Sequence, residues 1–176
     1  MRGNNRAVSD SHDSLYREHS AIAGACVDLM KKYAISDKAG KKEALEGIAI
    51  LAHKNKLNEN VIRIYVSLFS SNGEYKEAIK VLESLNKESP ASALLLQECM
   101  LKDRIHHHDL ACYKKALSIA ENKGVRNTDH LIVLYFSGDK RFNEEKEKYL
   151  SHNSNDSIIS IFDKERDAVL KEIYPN

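Results

Sequence analysis

From Ser14 onward, apolar residues recur at helical spacing: Leu15, Ile22, Cys26, Leu29, Met30 and Tyr33 fall three, four or seven apart. That period lines one face of a first helix. Residues 1–11 show no such period and read as a disordered tail. Ser36-Asp37 suits the N-cap of a second helix, with Ala44, Leu45, Ile48, Leu51 and Ala52 on its buried face. Asn58 caps a third helix, whose Val61, Ile62, Tyr65, Val66 and Phe69 leave little polar circumference. Such a helix belongs inside a stack. Ser71-Asn72-Gly73 ends it, glycine suiting a left-handed turn. A fourth helix over 74–87 follows on Tyr75, Ala78, Ile79, Leu82 and Leu85. Ser89-Pro90 marks the next boundary, with proline expected at the first helical position.

The pattern continues to the end of the chain. A fifth helix over 91–103 carries Leu94, Leu95, Leu96, Cys99 and Met100. A sixth follows three histidines, and shorter helices cover 128–137 and 142–151. After a polar linker, a last helix joins Ile158, Ile159, Ile161 and Phe162 to Val169, Leu170 and Ile173. The fold class is therefore all-α, an array of antiparallel helix hairpins joined by short links. One helical domain spans 12–176: a helix pair over 12–57, repeat-like units over 58–152 and a capping helix over 156–174.

Composition narrows the alternatives. Seven glycines and two prolines in 176 residues are too few for a β-sandwich or a doubly wound α/β fold. A net charge of +1 offers no broad field to nucleic acid or an anionic membrane. The densest apolar run, Leu131 to Phe136, is far short of a membrane span. Cys26, Cys99 and Cys112 are odd in number and show no framework spacing, so reduced thiols and a cytoplasmic setting are expected.

One stretch carries a finer signal. Ile62, Tyr65, Val66 and Phe69 are followed by Gly73 and Tyr75 at a turn, then by Ala78, Leu82 and Pro90. Over 59–92 this series resembles a tetratricopeptide repeat, a helix–turn–helix of 34 residues, without a gap. Val66 stands where glycine or alanine is usual, and Leu85 replaces a second small residue. Degenerate units flank it. Tyr113 to Leu117 resembles the end of a second helix, and Phe136 and Phe142 mirror Phe69 and Tyr75 two repeat lengths on.

The resemblance implies a protein-interaction module in which first helices line a concave groove. The implied partner-binding residues are Asn60, Arg63, Ser67 and Ser70, continued by Glu98, Asn127 and His130. A partner peptide or helix would lie there, gripped by an adaptor or by a chaperone of the bacterial secretion type. Self-assembly within a larger complex is the alternative.

Candidate chemistry is sparse. His106-His107-His108-Asp109 is the densest ligand cluster, and His108 with Cys112 shares a helix face, with Cys99 a further ligand from the preceding helix. The 99-to-106 gap matches no standard zinc spacing. A Cys–His nucleophile drawn from the same residues lacks an oxyanion turn. No phosphate-binding, zincin or nucleophile-elbow motif occurs. The sequence thus reads as a non-enzyme with no cofactor and no metal, a metal- or cysteine-dependent enzyme being the minor alternative.

Overall fold

The computed structural model describes residues 5–176, with side chains described at 14 and from 16 onward. Among them are nine α-helices, one 3-10 helix and no strand. By its internal packing the chain divides into two compact units, Met1–Leu68 and Phe69–Asn176, where the sequence pattern ran one domain across 12–176. Each unit is described by itself.

The first unit contains α1 (Asn5–Ile35), α2 (Lys38–Lys54) and most of α3 (Glu59–Ser71). The expected tail over 1–11 falls partly outside the described residues, at 1–4. From Asn5 the backbone is helical. Nothing between Asn5 and Ser14 breaks a helix, and extending an existing helix is far easier than starting one. Asp37 caps α2 as expected, accepting from the Gly40 amide at 2.9 Å. The α1 and α2 chains run antiparallel. Leu29 meets Gly47, Lys32 pairs with Glu43 at 2.9 Å, and Tyr33 lies under Lys41. At Gly47 an added Cβ would stand 3.0 Å from Leu29 Cδ1, so glycine lets the helices close up there. Asn58 opens α3, its Oδ1 accepting from the Val61 amide at 3.3 Å while its Nδ2 reaches the His19 carbonyl of α1.

The second unit begins with the turn expected at 71–74. Gly73 has φ 76°, the left-handed conformation for which glycine was read. Then come α4 (Tyr75–Glu88), α5 (Ser92–Arg104), α6 (Leu110–Asn122), α7 (Thr128–Ser137) and α8 (Phe142–His152). From α4 onward each packs on the next, as a hairpin array requires. Tyr75, Ala78 and Leu82 are buried, whereas Phe69 is half-buried. Pro90 does not start α5. Ala91 is its N-cap in extended conformation, so proline precedes the cap and holds the incoming chain straight.

Two expectations need correction. The last helix is broken: a 3-10 helix (Ser157–Asp163) and α9 (Arg166–Ile173) are separated by extended Lys164 and Glu165. The break lets the two apolar groups bury in different places. Phe162 joins Tyr135 and Phe142 with ring centroids 5.1–5.5 Å apart, while α9 packs back on α5. Cys99 and Cys112, read as reduced thiols, form a disulfide, their Cα atoms 5.6 Å apart. Residues 13 apart give no spacing signal, but the α5–α6 hairpin brings them face to face.

The histidine loop inside that hairpin is also informative. His106 has φ 66°, occupying the position after a helix where glycine is usual. Its amide donates to Asp103 O and the His107 amide to Lys102 O, closing α5. Asp103 itself is buried at the end of α5. It accepts from Tyr113 Oη at 2.8 Å and from the Arg166 guanidinium of α9, whose Nη1 donates to the Phe136 carbonyl at 2.6 Å. Burial first, then the Asp103 charge, pushes the Tyr113 phenol well up. Arg166 also lies over the rings of Tyr113 and Phe136, which stack on each other at 5.4 Å.

Two measurements follow. Thiol titration of the denatured, unreduced protein should find one free cysteine, the buried Cys26, and Cys112→Ser should cost about 3 kcal/mol in a urea melt. Three titrating thiols would refute the bond. His106→Gly should stabilise by up to about 1 kcal/mol, since glycine meets no Cβ penalty at that φ.

Candidate functional site

The chain places the candidate residues unequally. On α3, Asn60, Arg63 and Ser67 are exposed, and Arg63 stands 3.8 Å from Glu59. Ser70, expected on the same inner face, is buried with its hydroxyl unpartnered. Glu98 is buried as well, because its carboxylate is fully used: Oε1 accepts from Asn86 and Oε2 from Lys102 at 2.9 Å. Asn127 and His130 come together. Both line a cleft of about 500 Å³ between α7 and α8.

Local sequence builds this cleft. Asn127 caps α7, its Oδ1 accepting from the His130 amide at 3.2 Å. The following Leu131, Ile132, Val133 and Leu134 are all buried, so α7 sits deep and carries His130 in with it. Gly138, left-handed at φ 64°, turns the chain into α8. Arg141 then locks the corner with a two-pronged grip on Glu121 at 2.8 and 3.0 Å and a further bond to Asp139. The guanidinium holds Glu121 below the usual carboxylate range and Asp139 at about 2. From α8, Glu145, Lys148 and Tyr149 complete the wall. Tyr149 is fixed by its bond to Asp156 at 2.6 Å, and Lys148 by Glu144 and Glu145.

Two groups remain with capacity to spare. His130 is 3% exposed, and its Nε2 has no hydrogen-bond partner among the described residues. Burial, and then Arg126, lower its pKa, so the ring is neutral at pH 7. Arg126, exposed at the mouth, donates to the Val125 carbonyl; among the described residues it forms no ion pair, though its charge helps to lower the Glu121 carboxyl. The cleft therefore offers a charged fork at its mouth, with a neutral imidazole buried in its wall.

The histidine cluster does not converge on an ion. Among the described residues no group of three His, Cys, Asp or Glu is placed to hold a metal. Cys99 and Cys112 are bonded to each other, which removes the thiolates that the metal and nucleophile readings required. His108 instead faces Asp103 and Arg166, with Nδ1 2.8 Å from the guanidinium. Arg126, Tyr149 and Arg141 gave no sequence signal. Arg141 reaches Glu121, 20 residues back, and Tyr149 meets Thr128, 21 residues back, contacts that no local pattern shows. No helix among the described residues is long and apolar enough to cross a membrane. No family model, no curated protein and no solved structure matches this chain.

NMR titration should place the His130 midpoint below the ordinary value of about 6.5. A depressed folded value means the unfolded chain binds the proton first. Its contribution to stability is then complete above about pH 6.5 and is lost progressively as pH falls from there through the lower folded midpoint. Urea melts between pH 7 and pH 5 should show the loss, and His130→Gln should remove that part of the slope. A midpoint above 6.5 would mean that a carboxylate holds the ring.

Proposed function

We propose that this protein is a non-enzymatic interaction module, an adaptor or chaperone of tetratricopeptide-like construction, that seats an acidic segment of a partner protein in the α7–α8 cleft. The observation that carries this is Arg126, in no ion pair among the described residues, at the mouth of an open, partly polar cleft lined by Asn127 and His130. A guanidinium without a carboxylate suits a partner's Asp or Glu, which it can hold with two parallel bonds. Leu131 and the ring of Tyr149 give the peptide apolar contact, and the fixed positions of Tyr149 and Lys148 mean little must be ordered on binding. Consecutive helix packing from α4 to α8 supports a repeat-type scaffold for such a seat.

Arg126→Glu tests the reading. With a partner isolated from native lysate and purified, it should weaken binding roughly 10- to 100-fold, the loss of a charge-assisted bond worth about 1.5–3 kcal/mol. The thermal midpoint should stay nearly unchanged, since Arg126 is exposed. Lys171→Glu on α9 should bind as wild type. If Arg126→Glu also binds as wild type while Arg63→Glu abolishes binding, the seat lies on α3 and the cleft assignment falls.

A further inference from the structure

His130 is not the only histidine of the α7–α8 cleft. His152 ends α8, is exposed, and lines the cleft together with Arg126. We infer that His152 is a second contact for the partner's acidic segment and serves only when protonated, so that the segment docks together with a proton. This rests on the α7–α8 seat proposed above. The tautomer of the ring carries the inference. His152 Nδ1 lies 3.1 Å from the Lys148 carbonyl and 2.9 Å from Ser151 Oγ. Ser151 Oγ itself donates to the Lys148 carbonyl at 2.7 Å. A carbonyl only accepts, and the Ser151 proton is already given to it, so all three contacts are bonds only if Nδ1 carries the hydrogen. Nε2, on the far edge of the ring, then holds the lone pair. It makes no hydrogen bond among the described residues.

That lone pair makes the contact depend on charge. Facing a carboxylate, a neutral Nε2 sets acceptor against acceptor. Protonated, it donates and adds a positive charge. No other group of the cleft switches in this way. On α8, Lys148 is paired with Glu144 at 2.8 Å and with Glu145 at 3.2 Å. Arg126, just ahead of α7, is a permanent cation. Asp156, behind Tyr149, is engaged with its hydroxyl. His130, on α7, is kept neutral by its burial and takes its proton only below the ordinary histidine value. Arg126 and Lys148 thus balance Glu144 and Glu145, and His152 is the one group left to answer added negative charge. In the empty cleft its protonation is opposed by Arg126. A docked carboxylate removes that conflict, so proton and segment favour each other by equal factors.

The test uses the full chain, isotopically labelled, and a blocked peptide, acetyl-Glu-Leu-Glu-amide, with acetyl-Gln-Leu-Gln-amide as its neutral counterpart. Glutamate stays ionised between about pH 8 and pH 6, so changes of affinity there come from the protein. NMR titration should find the glutamate peptide about threefold tighter at pH 6 than at pH 8, the size of one exposed ion pair. The glutamine peptide should gain nothing. Saturating glutamate peptide should move the midpoint of the His152 imidazole signals to higher pH. His152→Gln is an exposed substitution, and circular dichroism should show its fold intact. In it the affinity ratio between the two pH values should fall below about 1.5-fold. The full ratio in His152→Gln, or a His152 midpoint that the peptide leaves in place, would overturn the proposal while the seat stands. So would a ratio that survives His152→Gln and disappears in His130→Gln. If the glutamate and glutamine peptides bind alike at both pH values, no acidic segment is read, and the seat falls together with the proton.

Discussion

A single buried carboxylate organises the second unit. Asp103 closes α5, receives the Tyr113 hydroxyl from α6 and the Arg166 guanidinium from α9, and through Arg166 reaches the Phe136 carbonyl near the end of α7. Four helices meet at one charge. Asp103 leaves water while Arg166 stays half-buried, and a buried carboxylate is costly unless its bonding capacity is filled. Here it is filled: Arg166 bonds to a backbone carbonyl and is sandwiched against aromatic rings, and Asp103 takes a phenol as well. Removing either partner strands the other, so this arrangement specifies one packing of α9 and penalises others.

Other ties shape the surface of the unit. The α7–α8 cleft exists because α7 is sunk among apolar side chains while Arg141 pulls the end of α6 and the α7–α8 turn together. On the other side, the Cys99–Cys112 bond staples the first turn of α6 to α5. At the other end of the unit, Tyr75, Tyr174 and Arg104 gather the final residues against the start of α4. Arg104 donates to the Tyr174 carbonyl at 2.9 Å, and the two tyrosine rings meet edge to face. Polar anchors set the helix ends, and the apolar faces between them fill in.

Helix existence was legible in the sequence because the 3.6-residue period is local. The caps at Asp37, Asn58 and Asn127 and the turn at Gly73 needed only a few adjacent residues. What escaped depends on partners far along the chain. Asp103 and Arg166 are 63 residues apart, and each alone reads as a surface charge. The Cys99–Cys112 bond needs a hairpin whose turn has histidine where glycine would have announced it. The break before α9 is set by two separate burial sites and not by any proline or glycine. Of the candidate residues, Asn127 and His130 line the α7–α8 cleft beside Arg126, which lies one residue outside the pattern, whereas Glu98, expected on the groove surface, lies buried.

The two strongest ties in the second unit differ in when a growing chain can make them. The disulfide joins neighbouring helices, so it can close once about 13 residues beyond Cys99 have been made. Asp103 must wait for Arg166, 63 residues later. Until then its charge stays hydrated and the α5–α6 hairpin exists without its final lock. The early hairpin is thus a template, and the late arginine is the step that commits the chain.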